Sequence, residues 1–338
     1  MTTIAVALDG GLLVVRGDGG GWKAEARLEG TAPRCLAADP ANPERIWCGT
    51  VGGGLWRTAD GGATWQPAGD GLSTSDVSAV AVAPGEAAVY AGINPSAIWR
   101  TEDAGQRWEE LAALRALPSA PTWSFPPQPE TSHVRWITLD PAAPEGLYVC
   151  IEAGALVRSA DAGETWTDRV PDGPWDTHTL AAHPDAPGRL YSAAGDGFAA
   201  PGHGYNESRD GGDTWTQPDD GIELHYLYGL AVDPGNPDTV VVSAAASPLQ
   251  AHSPRSADST VYRRRDSSPW QRVQGLPEGP GTTRALLAAN PAEHGVFYAA
   301  NNRGVFRSAD GGACWEPVVA PLPEPYREQS SHAIAVTP

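Results

Sequence analysis

The amino-acid sequence predicts an all-β fold in which a four-stranded unit is repeated around a closed ring. One observation is a tryptophan that recurs every 43 to 58 residues, and its seven positions are Trp22, Trp65, Trp108, Trp166, Trp215, Trp270 and Trp315. Another is composition: the 338 residues include 39 Gly and 32 Pro, which is typical of many short strands joined by turns. Finally, the segments before the first and after the last of these tryptophans together have about the length of one further repeat.

Each repeat carries the signals of four strands. An apolar strand ends at a proline turn, as in "RCLAADP" and "YGLAVDP", and a second apolar strand follows, as in "RIWCGT" and "TVVVSA". A third strand leads to the recurring tryptophan, which opens the fourth. The C-terminal "HAIAVTP" is expected to be the inner strand of the blade whose other strands lie in residues 3–28. The pattern predicts one seven-bladed β-propeller over residues 1–338, closed by pairing of the N- and C-terminal strands, so that few sheet edges stay open.

The tryptophan ends a turn motif of the form Ser/Thr-x-Asp-x-Gly-x-x-Trp. Intact copies span 58–65, 159–166, 208–215 and 308–315, a looser copy spans 101–108, and degenerate copies span 15–22 and 264–270. We expect the aspartate to accept backbone N–H bonds in a tight turn between the third and fourth strands. The glycines suit positive φ, and the tryptophan can pack between blades. The motif is therefore predicted to be structural.

These motifs resemble the Asp-box repeats of bacterial neuraminidases, and the resemblance covers essentially the whole chain. It implies a β-propeller in which the Asp boxes lie on outer turns, away from the active site. It does not imply one activity, because families with this repeat include sialidases, xyloglucanases, sortilin-type receptors and photosystem II assembly factors.

Charge and cysteine usage narrow the class of protein. With 23 Lys and Arg against 41 Asp and Glu, the net charge of −18 disfavours binding to nucleic acid or to an anionic membrane. The N-terminus lacks the features of a signal peptide, and we expect a cytoplasmic protein. Four cysteines without a Cys-x-x-Cys pair predict free thiols rather than disulfides or zinc ligands.

The residues that begin the inner strands predict a site at the mouth of the central channel. In a propeller these positions converge at one end, and the turn motifs lie at the other end. Counting six residues back from the proline after each inner strand, or one further in the sixth repeat, selects the following set: Arg34, Ser78, Arg135, His178, Tyr228, Arg284 and His332. Crowded guanidinium groups are costly unless an anion joins them, so the set predicts an anion site. The alternative is that each arginine pairs locally with a carboxylate such as Asp76, Asp176, Glu152 or Glu223.

Histidines are concentrated at the same end of the predicted channel. A neutral histidine near arginines suits a general base, and His178 or His332 is the candidate, with Asp176 beside them and Tyr228 as a proton donor or orienting hydroxyl. No cofactor is expected. The alternatives are a divalent metal held by His133, His178, His332 and Asp176, and ordinary hydrogen-bonded histidines.

Three long segments are expected to rise around this mouth. They are "LRALPSAPTWSFPPQPETSH", "GDGFAAPGHGYNE" and "SPLQAHSPRSADST". Long loops in compact domains are often functional. The residues expected to wall a pocket are Trp123, Phe125, His133, His203, Tyr205 and His252. The alternative is that these loops are solvated or face a protein partner.

The leading functional hypothesis is a hydrolase or lyase that acts on a small anionic molecule. Arg34, Arg135 and Arg284 would hold the anionic group. Sialidases also hold a carboxylate with three arginines, but they have six blades and a tyrosine–glutamate nucleophile pair, for which Tyr228 and Glu223 are the nearest analogue. Their N-terminal Arg-Ile-Pro element is absent here. Xyloglucanases use a cleft between two propellers, which the single predicted propeller cannot form.

The competing hypothesis is a non-catalytic propeller that binds protein, as photosystem II assembly factors do.

Overall fold

Seven antiparallel sheets form a closed ring, so the structure confirms the predicted seven-bladed β-propeller. The computed structural model describes residues 1–17 and 21–338. The innermost strand of every blade contacts the innermost strands of the two neighbouring blades. These contacts continue around the whole ring and close it. Blades are numbered here from the one that contains both ends of the chain.

Blade 1 closes the ring as predicted. Its strands, from the channel outward, are Ser331–Thr337, Thr2–Leu8, Gly11–Gly17 and Trp22–Arg27. The C-terminal strand runs antiparallel to the N-terminal one, with Thr3 opposite Thr337 and Val6 opposite Ile334. This ladder joins the two ends of the chain in one sheet, so the N-terminal strand is paired on both sides and the ring is closed.

The other blades repeat the same order of strands. Blade 2 contains Pro33–Asp39, Asn42–Thr50, Leu55–Thr58 and Gln66–Pro67; blade 3 contains Val77–Val82, Val89–Ile93, Ala97–Thr101 and Glu109–Glu110. Blade 4 contains Val134–Leu139, Leu147–Ile151 and Ala155–Ser159; blade 5 contains Thr177–Ala182, Leu190–Ala194 and Tyr205–Ser208. Blade 6 contains Tyr226–Asp233, Asn236–Ala245, Asp258–Arg265, Gln271–Arg272 and Gly279–Pro280; blade 7 contains Leu286–Ala289, Phe297–Asn301, Gly304–Ser308 and Glu316–Val319. In blades 4 and 5 the fourth strand is reduced to the single bridges Arg158–Thr167 and Glu207–Thr216.

Helical structure is confined to short segments of the connections. One α-helical turn spans Pro248–His252, and 3₁₀ turns span Pro84–Glu86, Ala112–Ala116, Ala120–Thr122 and Gly195–Phe198. Among the described residues, no helix has the length and apolar character needed to span a membrane.

The repeated aspartates build the turns between third and fourth strands, as predicted. Asp161 Oδ1 accepts a hydrogen bond from the Thr165 backbone N–H at 2.8 Å and another from the Ser159 hydroxyl at 2.7 Å. Asp60, Asp103, Asp210 and Asp310 accept equivalent bonds. Part of the degenerate copy at 15–22 lies outside the described residues. Because these turns follow third strands, they lie at the end of the propeller opposite the start of the inner strands.

Apolar side chains from facing sheets fill the gaps between blades. Trp47 of blade 2 is fully buried and meets Trp108 edge to face, with ring centroids 6.3 Å apart. The cysteines are free thiols, as predicted: Cys35, Cys48 and Cys150 are buried in this packing, and Cys314 is exposed.

Candidate functional site

A cavity of about 810 Å³ opens where the inner strands begin. The structure places nine of the predicted site residues in its wall: Arg34, Ser78, Phe125, His133, Arg135, Tyr228, His252, Arg284 and His332. A second, smaller space of about 50 Å³ lies between the inner strands and is also bordered by Arg34, Arg135 and His332. The inner strands bring these residues together because each blade contributes the first residues of its inner strand to the same end of the channel.

Arg284 is a buried cation in this wall. The residue is 2 % exposed, and its Nη2 donates a hydrogen bond to the Ser331 carbonyl at 2.9 Å. Its Nε and Nη1 atoms are buried and have no hydrogen-bond partner among the described residues. No carboxylate in the described part of the chain lies within ion-pair distance of it. An unpaired buried guanidinium is costly, so the position favours a negatively charged ligand nearby.

The other two arginines have partners within the wall. Arg135 Nε lies 3.2 Å from Glu152 Oε2. Of the local arginine–carboxylate pairs that the sequence suggested, this is the one that the described residues form. Glu223 instead pairs with Arg272, away from the cavity. Arg34 is exposed, and its Nη1 donates to His332 Nδ1 at 2.7 Å. The three guanidinium groups therefore face the cavity with one carboxylate, Glu152, paired to them.

Tyr228 lies at the centre of the cationic groups. The Cζ atoms of Arg284 and Arg135 are 4.3 Å and 4.8 Å from its ring centroid. The rings of His178 and His252 are 4.6 Å and 4.9 Å away. Burial opposes ionisation, but the charges of Arg135 and Arg284 outweigh it and lower the pKa of Tyr228 below its ordinary value. The hydroxyl is thus polarised at the cavity wall.

His252 and Tyr226 form a hydrogen-bonded pair beside Tyr228. Burial, together with the positive charge of Arg284, lowers the pKa of His252 to about 2, so its imidazole is neutral. Burial raises the pKa of Tyr226, so its hydroxyl keeps its proton. The Tyr226 hydroxyl lies 3.1 Å from His252 Nε2, within hydrogen-bond distance.

The two histidines predicted to be the acid or base are held by other groups. His178 is fully buried and lies outside the cavity wall, with Nδ1 2.7 Å from the Leu227 carbonyl. His332 accepts from Arg34 at Nδ1 and donates from Nε2 to Asp9 Oδ1 at 2.6 Å. Burial lowers the pKa of His332, and the nearby arginines act in the same direction. Neither ring has a free nitrogen directed at the cavity.

Asp176 is likewise placed behind the wall. Its Oδ1 accepts the Ala153 backbone N–H at 2.8 Å, and its Oδ2 lies 3.6 Å from His178 Nε2. Ser78 does line the cavity, but its hydroxyl donates to the Val134 carbonyl of the next blade at 2.7 Å. Both side chains therefore hold the ring of blades together rather than point a free group at the cavity.

Three of the predicted wall residues do not reach the cavity. Trp123 is buried in the core between blades 3 and 4, and its Nε1 donates to the Ser119 hydroxyl. Tyr205 is fully buried between blades, where it meets Trp270 edge to face and its hydroxyl donates to Glu207. His203 is exposed in its loop. Trp123 and Tyr205 do not reach the cavity because the gaps between blades take up these large side chains. Phe125, from the same Pro-rich segment as Trp123, does line the cavity.

Residues that follow second strands also contribute to the site; of these, only Glu152 was expected, as the partner of an arginine. Asp9, Asn94 and Glu152 are each the first residue after the second strand of their blade. Asn94 and Glu152 line the cavity, and Asp9 bonds to His332. All three occupy the same position relative to the second strand of their blade, which is the signal in the sequence that predicts them. Tyr226, two residues before Tyr228, has no signal of its own in the sequence.

Fold and cavity together define this protein as a seven-bladed β-propeller with an arginine-rich cavity at one end of its channel. No protein-family model and no curated protein matches the sequence. Solved structures do share its fold, and they include GH74 enzymes and YCF48.

The GH74 enzyme of Niastella koreensis superposes with a TM-score of 0.72 at 18 % identity, over 94 % of this chain and 52 % of that enzyme. An ancestral GH74 enzyme gives a TM-score of 0.64 at 15 % identity, over 86 % of this chain and 39 % of that enzyme. This chain therefore spans about half of the one enzyme and less of the other. YCF48 bound to a D1 peptide gives 0.58 at 19 % identity, over 85 % of this chain and 82 % of YCF48. At these identities the likeness shows the fold alone.

Proposed function

We propose that the cavity binds a small molecule through an anionic group, which is a carboxylate, phosphate or sulfate. The observation that carries this proposal is Arg284, a cation that is 2 % exposed in the cavity wall and lacks a carboxylate partner in the described chain. A bound anion supplies the missing charge. Arg135 and Arg34 add to the same positive field, which is focused by the low-dielectric wall.

The size of the cavity is consistent with a ligand larger than a simple ion. Its volume of about 810 Å³ lies within the range of sites that enclose small molecules. Phe125, Val51 and Leu249 supply apolar surface in the same wall. The ligand class is therefore an organic molecule with one anionic end.

We infer that the chemistry is that of a hydrolase or lyase with proton transfer at Tyr228, beside which the neutral His252 lies. Both side chains line the cavity, whereas His178 lies behind the wall and both nitrogens of His332 are occupied. Arg284 and Arg135 lie beside Tyr228, where they would stabilise negative charge that develops on a substrate. This assignment moves the acid–base role away from the two histidines that the sequence favoured.

We also assign the turn motifs to the Asp-box repeat type, because their aspartates accept the hydrogen bonds expected of that turn.

A second candidate function is recognition of a peptide in the same cavity. Val51 and Leu249, at the rim, are 46 % and 64 % exposed, and exposed apolar side chains beside a cavity are typical of interaction sites. YCF48, which shares the fold, has been solved with a bound D1 peptide. In this alternative, an acidic side chain or a chain-terminal carboxylate would take the place of the small anion.

The experiment is a thermal-shift screen of sugar acids, other carboxylates, phosphate esters and sulfate esters, in the presence of chelator. Ligand at about 100 times its Kd should stabilise the protein by about 2.7 kcal/mol. Arg284→Met keeps much of the buried volume and should lose the response. Arg107→Met is the matched control, because Arg107 is an exposed arginine in the motif at 101–108, at the opposite end of the propeller.

The outcomes separate the candidates. One anion class that stabilises the wild type and Arg107→Met but not Arg284→Met supports the proposed site. A response that only acidic peptides produce favours the second candidate. Equal responses in both variants, or none from any anion or peptide, would refute the cavity as an anion site.

A further inference from the structure

Three potential metal ligands meet directly behind the cavity wall. Glu152, Asp176 and His178 each offer one ligand atom, and these atoms lie within 4.8 Å of one another. His178 Nε2 is 3.7 Å from Glu152 Oε1 and 3.6 Å from Asp176 Oδ2. Both distances are too long for a hydrogen bond, so the three atoms surround a small space without bonding to each other.

The hydrogen bond on the other side of His178 determines which nitrogen carries the proton. His178 is fully buried, and its Nδ1 lies 2.7 Å from the Leu227 carbonyl oxygen. A carbonyl oxygen only accepts, so Nδ1 must donate. In the neutral imidazole, Nε2 then has a lone pair directed toward Glu152 and Asp176. Metal-binding histidines are commonly oriented by such a backbone bond.

The surroundings provide no donor that satisfies this lone pair well. The Tyr226 hydroxyl is 3.4 Å from His178 Nε2, but it is closer to His252 Nε2, at 3.1 Å. The contact with His178 Nε2 is therefore the longer and weaker of the two. A fully buried nitrogen acceptor therefore faces two carboxylate oxygens, an arrangement of three acceptors that calls for a cation between them.

The spacing and the backbone suit a bound ion. Bonds of about 2.0–2.1 Å in a tetrahedral site place ligand atoms about 3.4 Å apart, close to the two distances observed. A Cβ atom at Gly195 would lie 2.1 Å from Asp176 Oδ2 and 2.9 Å from His178 Cε1. Glycine at this position thus leaves the room that these two ligands occupy.

We propose that Glu152, Asp176 and His178 bind one divalent transition-metal cation, of the class of Zn²⁺ or Mn²⁺, through one imidazole nitrogen and two carboxylate oxygens. Mixed nitrogen and oxygen ligands suit this class of ion. Glu152 also lines the cavity, so one of the three ligands joins the proposed metal site to the cavity wall. Arg135 pairs with Oε2 of Glu152 and leaves Oε1 directed at His178.

The test is a calorimetric titration of chelator-treated, dialysed protein with Zn²⁺ and, separately, with Mn²⁺, with no candidate anion present. The proposal expects one ion per chain, and it expects Asp176→Asn and Glu152→Gln each to weaken the affinity at least tenfold. Because the anion screen is run with chelator and this titration without anion, failure of either proposal leaves the other standing.

Asp76→Asn is the matched control for Asp176→Asn. Asp76 lies at the equivalent point of blade 3, where its Oδ1 accepts the Gly52 backbone N–H at 2.7 Å, as Asp176 Oδ1 accepts that of Ala153. It should bind the ion like the wild type. An asparagine at either position keeps the oxygen acceptor, and the melting temperature in chelator checks that the fold is retained.

A second measurement does not depend on any variant. Co²⁺ added to the wild type should give the intense visible absorption of a four- or five-coordinate site, which the octahedral aqueous ion lacks. The proposal is overturned if the wild type binds none of the three ions at micromolar concentration. It is also overturned if Asp176→Asn binds as tightly as Asp76→Asn.

Discussion

Arg284 lies against the ring of Tyr228, with its Cζ atom 4.3 Å from the ring centroid. The Cζ atom of Arg135 lies 4.8 Å from the same centroid. The aromatic ring therefore attracts two guanidinium groups that repel each other, and it does so while its hydroxyl stays at the cavity wall. One side chain thus combines a structural role, carried by the ring, with a chemical role, carried by the oxygen.

The first prediction separates these two roles. Tyr228→Phe keeps the ring, so it should bind the stabilising anion within about twofold of the wild type, whereas turnover of any substrate found should fall by about 10²-fold or more. Tyr228→Leu removes the ring and should weaken anion binding as well. The measurements are thermal shift with the anion and steady-state kinetics. Normal turnover by Tyr228→Phe would contradict the proposed role of the hydroxyl.

The second prediction concerns a buried ion cluster between blades 5 and 6. The Glu207 side chain is 4 % exposed and lies 3.0 Å from Arg189 Nε and 2.6 Å from Arg264 Nη2. Glu207→Gln leaves the buried Arg264 without a carboxylate and Arg189 with Asp238 alone, so it should lower the free energy of unfolding by about 3 kcal/mol. Urea denaturation followed by tryptophan fluorescence measures this change.

Glu223→Gln is the control for that measurement. Glu223 also pairs with an arginine at 2.6 Å, but its side chain is 70 % exposed, so its loss should cost less than about 1 kcal/mol. Equal destabilisation by the two substitutions would show that burial does not decide the strength of these pairs.

The fold could be predicted from sequence because its signals are local and repeated. The tryptophan period, the proline after each inner strand and the Asp turns each occur several times, so a degenerate copy such as 264–270 does not hide the pattern. The closing pair of strands followed from the lengths of the two terminal segments, and Thr3 indeed lies opposite Thr337. Arg34, Arg135 and Arg284 could be placed in one wall for the same reason.

The details of the site depend on side-chain directions that no repeat determines. Trp123 and Phe125 are two residues apart in one loop, yet the first packs into the core and the second lines the cavity. Tyr205 begins a strand, where the alternation of sides directs it into the gap between blades. The proton acceptors of His178 and His332 come from Leu227 and Asp9, which are distant in sequence. Such contacts appear only when the blades are in place.

The third prediction is a pH dependence that arises from the Asp turns. Hydrogen bonds from Thr165 lower the pKa of Asp161 to about 2, and those from Thr214 lower the pKa of Asp210 to about 2. In the unfolded chain an aspartate has a pKa of about 3.9. The folded state thus binds protons less readily, and the stability that these carboxylates contribute is complete above about pH 4 and is lost as the pH falls toward about 2.

A double variant, Asp161→Asn with Asp210→Asn, tests this dependence. Its melting temperature should be below that of the wild type at pH 7, and the difference should shrink between pH 4 and pH 2, because the amide has no charge to lose. Thermal unfolding in a series of buffers measures both curves. A difference that is constant over this range would mean that the two carboxylates do not contribute through their ionisation.

The fourth prediction is that a single thiol reacts in the native protein. Burial raises the pKa of Cys35 to about 12, and burial also raises the pKa values of Cys48 and Cys150, so none of the three is accessible as thiolate. Cys314 is exposed, and its bond to Asp310 raises its pKa. It should therefore react with a disulfide reagent at pH 8 more slowly than free cysteine.

The reagent should count one thiol in the native wild type, none in Cys314→Ser, and four after denaturation. If two or more thiols of the native protein react as fast as Cys314, the packing between blades opens far more readily than the burial of the other three cysteines implies.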